Sequence, residues 1–276
     1  MAKLAERRAA ERRKKHRQRL TAMLAGVGLT VALVIVLLVA FVGGDNPKPA
    51  AAPSATASAT PSASASPTES GGVACGGKVP KAASVDKKQY KNPPKMTIDT
   101  NKKYLMTMET SCGTIKIELD PATAPNTVNS LVFLADQHFF DGLIFHRTVQ
   151  DFVIQGGDPL TVKGNDPATF GTGNPGYKTT DAPPAGATYP EGTVAMAKGQ
   201  AEPNGSSGSQ FFIVTGADAS AALAPGGQGQ YAIVGKVTSG IDIAKKIELL
   251  PREGGSADGR PAQDVYIVKV TVKVET

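Results

Sequence analysis

The sequence predicts a mainly β fold with two helices, preceded by one transmembrane helix and a disordered linker. Three observations predict this arrangement: an uncharged apolar run, a stretch rich in Ala, Ser, Thr and Pro after it, and alternating polar and apolar residues beyond residue 100. Side chains alternate between the two faces of a strand, so such alternation is typical of half-buried strands. The chain is therefore divided into residues 1–19, 20–42, 43–99 and 100–276.

Residues 1–19 form a basic tail with nine Lys or Arg and two Glu. The net charge of the whole chain is +6, so the basic character belongs to this tail and the rest of the chain is close to neutral. The folded part is therefore not predicted to bind nucleic acid. Positive charge beside an apolar run is instead typical of the cytoplasmic flank of a membrane span.

Residues 20–42 form an uncharged run of 23 residues. A bilayer core of about 30 Å needs about 20 helical residues, so this run is long enough to span it. The alternative is a cleaved signal peptide, whose apolar region has only about 7–15 residues and ends at an A-x-A-like site. Because the run is longer and Ala40–Val42 is a poor cleavage site, we expect a single-pass anchor in the cell membrane. Its N-terminus is predicted to be cytoplasmic and the domain after it extracytoplasmic.

The segment after the apolar run is predicted to be a disordered linker and lead-in over residues 43–99. From Pro47 to Ser70, 22 of 24 residues are Ala, Ser, Thr or Pro. Such a composition cannot bury enough apolar area to offset the entropy lost on ordering. We expect this segment to act as a tether that holds the domain away from the membrane.

The chain has two cysteines, Cys75 and Cys112, and both follow the apolar run. An extracytoplasmic compartment is oxidising, which favours a disulfide between them. Two free thiols are the alternative.

Five segments after residue 100 are predicted to be strands. They are Thr114–Leu119, Thr193–Ala197, Gln210–Thr215, Tyr231–Val237 and Asp264–Val274. In the last of these, Tyr266 and the alternate valines up to Val274 are predicted to share one apolar face.

Two helices are predicted from apolar stripes at helical spacing. The first stripe consists of Val128, Leu131, Val132 and Ala135. Pro125 suits the opening turn of that helix. The second helix begins at Ser239–Asp242, which resembles a capping box, ahead of Ala244 and Ile247. Scattered strands with two helices suit a closed antiparallel barrel with helices at its ends.

The segment Phe145–Asp158 reads FHRTVQDFVIQGGD, and it carries the most specific chemical signal in the chain. Its pattern predicts two short extended runs, broken near Gln150. It places an imidazole, a guanidinium, a benzyl ring and a carboxamide within ten positions: His146, Arg147, Phe152 and Gln155. This set can hold a peptide's carbonyl groups and an apolar ring.

The segment resembles the signature of the cyclophilins, the peptidyl-prolyl cis/trans isomerases, which is roughly FHR-x4-F-x-x-QGGD. Met196–Ala197 followed by Ser209–Ile213, and then Val234–Val237, are similar to two further blocks of the family, in the same order. The resemblance covers about residues 100–276. It implies a closed antiparallel cyclophilin-like β-barrel with two capping helices, and an isomerase that needs no cofactor.

The resemblance also implies which residues form the site. It assigns catalytic roles to Arg147, Phe152 and Gln155. It assigns substrate contacts to His146, Val153, Ala197, Phe212, Leu223 and Tyr231. Arg147 matches the catalytic arginine of the family, and Gln155 matches the amide that bonds the substrate backbone and steadies this arginine. For Arg147 alone, a surface salt bridge would be the ordinary alternative.

The remaining assigned positions form the groove. Phe152, Phe212 and Leu223 match residues that line the pocket for the proline ring, and Val153 replaces a common methionine. Without the resemblance, these apolar residues would be read as core. Ala197 matches a residue of the peptide groove. Tyr231 stands where many members have histidine, and His146 is expected to support structure more than to transfer protons.

Two features of the chain depart from or mimic known patterns. The loop Lys198–Gly208 is longer than in compact family members, and Lys198 stands where asparagine is frequent. By resemblance, these differences affect the groove that receives the residues before the proline. Gly171–Gly176 satisfies G-x-G-x-x-G, but no helix pattern follows, so a dinucleotide site is not predicted. This loop resembles the glycine-rich loop beside the cyclophilin groove. The histidines lack metal-ligand spacing, so no metal is predicted.

The sequence therefore predicts a membrane-anchored bacterial peptidyl-prolyl isomerase that assists the folding of secreted or cell-envelope proteins. Its expected partners are proline-containing polypeptides and the membrane, through residues 20–42, and the chain is expected to be a monomer. The alternative is a proline-peptide-binding chaperone module with little turnover. A purely structural tether would not explain the retained groove residues.

Overall fold

In the computed structural model, the described residues are 72–223 and 230–275, without the side chains of residues 218, 220 and 221. The strands are β1 (Lys103–Thr110), β2 (Gly113–Leu119), β3 (Arg147–Val149), β4 (Val153–Gly156), β5 (Thr179–Thr180), β6 (Thr193–Met196), β7 (Ser206–Ser207), β8 (Phe211–Val214), β9 (Ile233–Ser239), β10 (Asp258–Gly259) and β11 (Ile267–Glu275). The helices are α1 (Pro125–Asp136), α2 (Asp218–Leu223) and α3 (Ile241–Glu248). The fold is therefore mainly β, as predicted, and α2 is a short helix that the sequence did not predict.

Nine strands form one antiparallel sheet in the order β10-β3-β4-β8-β6-β9-β2-β1-β11, and β5 pairs with β7 separately. The predicted closed barrel is therefore wrong in this respect: the sheet is open, with β10 and β11 at its ends. The segment before β3 nevertheless meets the start of β11, since Phe145 N donates to Val265 O (3.0 Å) and Gly142 N donates to Ile267 O (2.7 Å). The two segments form an isolated antiparallel bridge between Ile144 and Tyr266, and no described strand links β3 with β11 in the sheet.

The main core lies between the sheet and α1. Strand β2 alternates as predicted, with Ile115, Ile117 and Leu119 buried between more exposed residues. They pack in one cluster with α1 residues such as Leu131 and Leu134. Burying side chains of this size contributes about 1.5–3 kcal/mol each, which makes this cluster the main source of stability.

Strand β11 differs from the predicted single apolar face over Asp264–Val274. Thr110 of β1 pairs with Ile267, but the preceding Glu109 pairs with Lys269, so Val268 is the extra residue of a bulge. A bulge shifts the alternation of side chains by one position. Val268 is consequently 37% exposed, whereas Ile267 and Val270 on either side of it are buried. Val274, which is 44% exposed, lies near the end of the strand.

The two predicted helices are present, with one correction. Pro125 occupies the first turn of α1, as expected. Helix α3, however, has Gly240 as its N-cap, without a side-chain hydrogen bond, so the predicted capping box is wrong. Ser239 instead ends β9. Gly240 has φ +86°, and a Cβ there would lie 2.3 Å from Thr114 O, so glycine is required where the chain turns from β9 into α3.

Residues 72–100, which we call the strap, run along the outside of the sheet and α1. The strap is held by hydrogen bonds from Ala74 N to Asp264 O (3.0 Å) and from Thr97 N to Asn129 Oδ1 (2.9 Å). Tyr90 packs edge-on against Phe133 of α1, with ring centroids 5.1 Å apart. The expectation of a disordered lead-in is therefore wrong for residues 72–99. This expectation failed because a few specific contacts hold the strap, and its polar composition does not predict them.

The predicted disulfide is confirmed. Cys75 of the strap is bonded to Cys112, in the turn between β1 and β2. The bond therefore attaches the beginning of the strap to the sheet.

The basic tail 1–19, the predicted membrane span 20–42 and the linker residues 43–71 lie outside the described residues. Within the described ranges, no helix is long and apolar enough to cross a membrane.

Candidate active site

Arg147 and Gln155 face each other across the β3–β4 hairpin. They are direct partners in the antiparallel register, so their side chains lie on the same face. Arg147 Nη1 donates to Gln155 Oε1 at 3.3 Å. The turn between the two strands contains Asp151, with φ +53°, at the break that the sequence predicted near Gln150. The guanidinium and the amide of the FHR-x4-F-x-x-Q segment are thus placed together by a local hairpin.

Asp258 holds the other side of the guanidinium. Its Oδ1 accepts from Arg147 Nε and its Oδ2 accepts from Arg147 Nη2, both at 2.7 Å. Strand β10 pairs with β3 so that Asp258 lies opposite Val149, which brings its carboxylate diagonally across from Arg147. The two side chains are 41% and 50% exposed, so solvent screens this ion pair. Arg147 therefore does form a surface salt bridge, in addition to its contact with Gln155.

The guanidinium retains donors for a ligand. It has five N–H groups, and the hydrogen bonds to Asp258 and Gln155 use three of them. No described residue accepts from the other two. The bidentate contact fixes the plane of the group, because a fork–fork pair allows little rotation.

A chain of amides continues from Gln155. Its Nε2 donates to Gln210 Oε1 at 3.1 Å, and Gln210 Nε2 donates to Gly173 O at 2.8 Å. Gln210 is buried, immediately before β8. Each amide thus fixes the next, so Gln155 is oriented from both sides.

An apolar cluster lies beside the hairpin. It brings together the six apolar or aromatic groove positions that were predicted: Phe152, Val153, Ala197, Phe212, Leu223 and Tyr231. Phe212 and Tyr231 pack edge to face, with centroids 5.3 Å apart. These residues pack in a cluster that is separate from the main core, whereas burial statistics alone would have placed them in that core. Their contacts with substrate stay predictions.

Tyr231 connects the cluster with the charged part of the site. Burial raises the pKa of its hydroxyl, and the positive charge of Arg147 partly opposes this rise. Its backbone is fixed by Tyr189, whose hydroxyl donates to Tyr231 O at 2.9 Å. The guanidinium is therefore close enough for its field to act on the aromatic wall of the cluster.

His146 is not part of the apolar cluster. It is only 6% exposed, and neither ring nitrogen has a hydrogen-bond partner within the described part of the chain. Burial lowers its pKa to about 4, against an opposing effect of the Asp158 carboxylate, and Arg147 lowers it further. This burial agrees with the expected structural role, and the substrate contact assigned to His146 stays a prediction.

A cleft of about 250 Å³ adjoins the hairpin on the side of the glycine-rich loop, residues 171–176. Gln155 and Gln210 line it, together with the glycine-rich loop and the beginning of the Lys198–Gly208 loop. The glycine-rich loop is held in place by the buried carboxylate of Asp158, which accepts from the backbone N–H groups of Gly171 and Gly173. No helix begins in this loop.

Two residues of this site were not among those predicted. Gln210 stands within the Ser209–Ile213 block, so its position in that block was the available signal. For Asp258 the sequence offered no such signal, because this residue lies 111 residues from Arg147 in a low-complexity segment. Among the residues that the structure describes, no group of three or more His, Cys, Asp or Glu could hold a metal ion.

Comparison with known proteins agrees with this geometry. The family model for "Cyclophilin type peptidyl-prolyl cis-trans isomerase/CLD" matches residues 105–272. The "Peptidyl-prolyl cis-trans isomerase-like 1" of Neurospora crassa is 34% identical over 170 residues, covering 60% of this chain and 91% of that protein. A "Probable peptidyl-prolyl cis-trans isomerase" of Brucella suis is 35% identical over 168 residues, covering 59% and 80%.

Solved structures give the same result. A cyclophilin type peptidyl-prolyl cis-trans isomerase of Cryptosporidium parvum superimposes with a TM-score of 0.51 at 26% identity, covering 63% of this chain and 99% of that one. A second structure from the same organism, determined in the presence of the dipeptide Ala-Pro, gives a TM-score of 0.50 at 25% identity, covering 62% and 99%. The family model spans more than half of the chain, and the strands that it covers carry the hairpin and the apolar cluster. The chain therefore belongs to the cyclophilin family of peptidyl-prolyl cis-trans isomerases.

Proposed function

We propose that this isomerase is a bacterial protein anchored in the cell membrane and acts outside the cytoplasm, where it assists the folding of secreted or cell-envelope proteins. Its substrates are proline-containing polypeptides, and Arg147 is its catalytic residue. The observation that carries the proposed mechanism is the position of the guanidinium, fixed by Asp258 and Gln155 next to an apolar cluster.

The reaction requires no bond to be broken. An Xaa-Pro bond isomerises slowly because partial double-bond character of the C–N bond imposes a barrier of about 18–20 kcal/mol. A catalyst must bind the twisted amide more tightly than either planar form. In the twisted form the prolyl nitrogen is pyramidal and its lone pair can accept a hydrogen bond.

Arg147 supplies the donor for that nitrogen. Its two remaining N–H groups are permanently available, because a guanidinium stays protonated at all physiological pH values. Each 1.36 kcal/mol by which this hydrogen bond favours the twisted amide accelerates exchange tenfold. Since Asp258 and Gln155 already fix the group, little reorganisation is needed when the amide twists.

The neighbouring residues hold the substrate. Phe152, Phe212 and Leu223 provide the apolar seat for the proline ring, and the amide of Gln155 can bond the peptide backbone. Ala197 and Tyr231 form the wall next to that seat. The proline ring is thereby held while the group before it rotates.

The proposed location rests on the sequence. The uncharged run 20–42, its basic N-terminal flank and the Ala/Ser/Thr/Pro-rich linker support an anchored domain on the outer side. A disulfide such as that between Cys75 and Cys112 forms and persists in an oxidising compartment, which supports this location. Isomerisation needs neither ATP nor a cofactor, and the uncatalysed step takes tens to hundreds of seconds, so catalysis there is useful.

The test of catalysis is cis/trans exchange of a short Xaa-Pro peptide, measured by exchange NMR with the full chain in mild detergent. The wild-type protein should accelerate exchange, and Arg147→Ala should lose most of the acceleration while keeping its circular dichroism spectrum. Wild-type protein that binds the peptide but does not accelerate exchange would favour the alternative, a proline-peptide-binding chaperone module.

The topology has a separate test. Protease added to intact spheroplasts should remove the domain after Gly43 and spare residues 1–19. Recovery of a soluble mature chain that starts near Gly43 would show a cleaved signal peptide instead.

A further inference from the structure

We propose that Lys198 makes this isomerase select prolines that have an Asp or Glu within the two preceding residues. The inference rests on the proposed function above, and on the expectation that the cleft receives the residues before the proline. Lys198 distinguishes this chain from the many family members that have asparagine at this position, and we assign the preference for acidic residues to it.

The cleft is a continuation of the catalytic groove. Gln155, which contacts Arg147, also lines the cleft, together with Gln210 and Ala197 of the apolar cluster. A peptide whose proline lies on the apolar cluster beside Arg147 would therefore continue into it. Lys198 is among the residues that line the cleft.

Lys198 is positioned between the cleft and the proline seat. Its Nζ is 5.6 Å from the centroid of the Tyr231 ring, which belongs to the apolar cluster. The same Nζ donates to the backbone oxygens of Gly199 (3.4 Å) and Glu202 (3.3 Å). These contacts keep the ammonium group at the boundary, close to the first residues before a bound proline.

The charges around the groove leave Lys198 without a carboxylate partner. Three charged side chains line the cleft, and two of them, Lys178 and Glu202, form an ion pair with each other. In the groove itself, Arg147 is paired with Asp258. Among the described side chains, Lys198 thus gives the substrate path one net positive charge.

The partners of Lys198 are neutral carbonyl oxygens at long distance, so an incoming carboxylate can replace them. An ammonium group has three donors and two are used here. For a partly exposed ion pair, the expected gain corresponds to about a three- to fivefold higher kcat/KM for an acidic peptide than for its alanine counterpart. Added salt should reduce this preference, because the pair is within reach of solvent.

The experiment compares kcat/KM for a set of short peptides by exchange NMR, with the full chain in mild detergent. In the set, the residue immediately before proline, or the one before that, is Ala, Glu or Lys. We expect the Glu peptides to be isomerised about three- to fivefold faster than the Ala peptides, and the Lys peptides more slowly. Raising the salt concentration to about 1 M should bring the ratios close to one.

Three variants assign the effect. Lys198→Gln should reduce the Glu-to-Ala ratio to about one, and Lys198→Glu should invert it in favour of the Lys peptides. Inversion is a result that a merely structural role of Lys198 would not produce. Lys236→Gln is the matched control, because this lysine is exposed on β9 and does not line the cleft. It should leave the ratio unchanged.

The outcomes separate this inference from the proposed function. If no peptide is isomerised, the proposed catalysis is wrong and the specificity falls with it. If all peptides are isomerised at equal rates, the enzyme stands but the selection of acidic residues is refuted. If the wild type prefers Glu and Lys198→Gln keeps that preference, its assignment to Lys198 is refuted.

Discussion

Lowering the pH should destabilise the protein through His146. The imidazole is buried, and burial lowers its pKa to about 4 in the folded state, whereas an unfolded chain protonates histidine near 6.5. Between these two values the unfolded chain binds more protons than the folded one. The contribution of neutral His146 to stability is therefore fully present above about pH 6.5 and is lost progressively as the pH falls toward 4.

The size of the effect follows from the two pKa values. Their difference corresponds to about 3 kcal/mol at 1.36 kcal/mol per unit. No discount for solvent screening is needed, because the side chain is only 6% exposed. For a domain of ordinary stability this is a large fraction of the free energy of unfolding.

Urea unfolding of residues 72–276 at several pH values between 7 and 4 would measure it. Other carboxylates also titrate in this range, so the informative quantity is the difference in unfolding free energy between wild type and His146→Gln. This difference should change by about 3 kcal/mol across the range, in the direction that favours the variant at low pH. His138→Gln, which removes an exposed imidazole, shows the effect of a substitution outside the buried position. A wild-type-minus-His146→Gln difference that does not vary with pH would refute the reasoning.

Three further predictions concern the contacts around the site and the strap. Asp258→Asn should lower kcat/KM about two- to fivefold with little change in KM, because the guanidinium that we propose to be catalytic loses a screened ion pair. Asp258→Glu should restore part of the loss, and an unchanged kcat/KM for Asp258→Asn would contradict a positioning role. Cys112→Ser should lower the free energy of unfolding by about 3–4 kcal/mol, because the unfolded chain is no longer constrained by the disulfide. Hydrogen exchange in the strap should become faster while isomerase activity remains. An unchanged exchange rate would contradict the role of the disulfide in holding the strap. Gly142→Ala should lower the thermal stability of the fold more than Gly164→Ala. Both glycines have positive φ, but only at Gly142 would a Cβ meet the strap backbone, at 2.3 Å. Equal losses of stability would show that this contact is unimportant.

The β3–β4 hairpin with Arg147 and Gln155 could be predicted because its information is local. Arg147 and Gln155 are eight residues apart, and the alternation on either side of Gln150 implies two short strands. Antiparallel pairing then places the two side chains on one face without help from the rest of the chain. The apolar groove positions, in contrast, were assigned by resemblance, since burial statistics alone place such residues in the core.

The strap and the sheet ends could not be predicted in the same way. The strap has many lysines and few large apolar residues, so its composition predicts disorder. Its order depends on contacts such as Tyr90 with Phe133, and on the approach of Ala82 to Gly142. The bulge at Val268 likewise depends on the register between β1 and β11. These are pairwise contacts between distant segments, which a pattern within one segment does not contain.

The sequence by itself determined the family, the β-rich character and the hairpin with Arg147 and Gln155, and it favoured a disulfide between the two cysteines without excluding two free thiols. Only the tertiary structure decided that Asp258 fixes the guanidinium, that His146 is buried with no hydrogen-bond partner among the described residues, and that Lys198, which lines the cleft, lies over the Tyr231 ring. The physical reason is range. Strand alternation and motif spacing are set by neighbours within a few residues, whereas the charge balance of the groove depends on which distant loops the folded sheet brings within a few ångströms of one another.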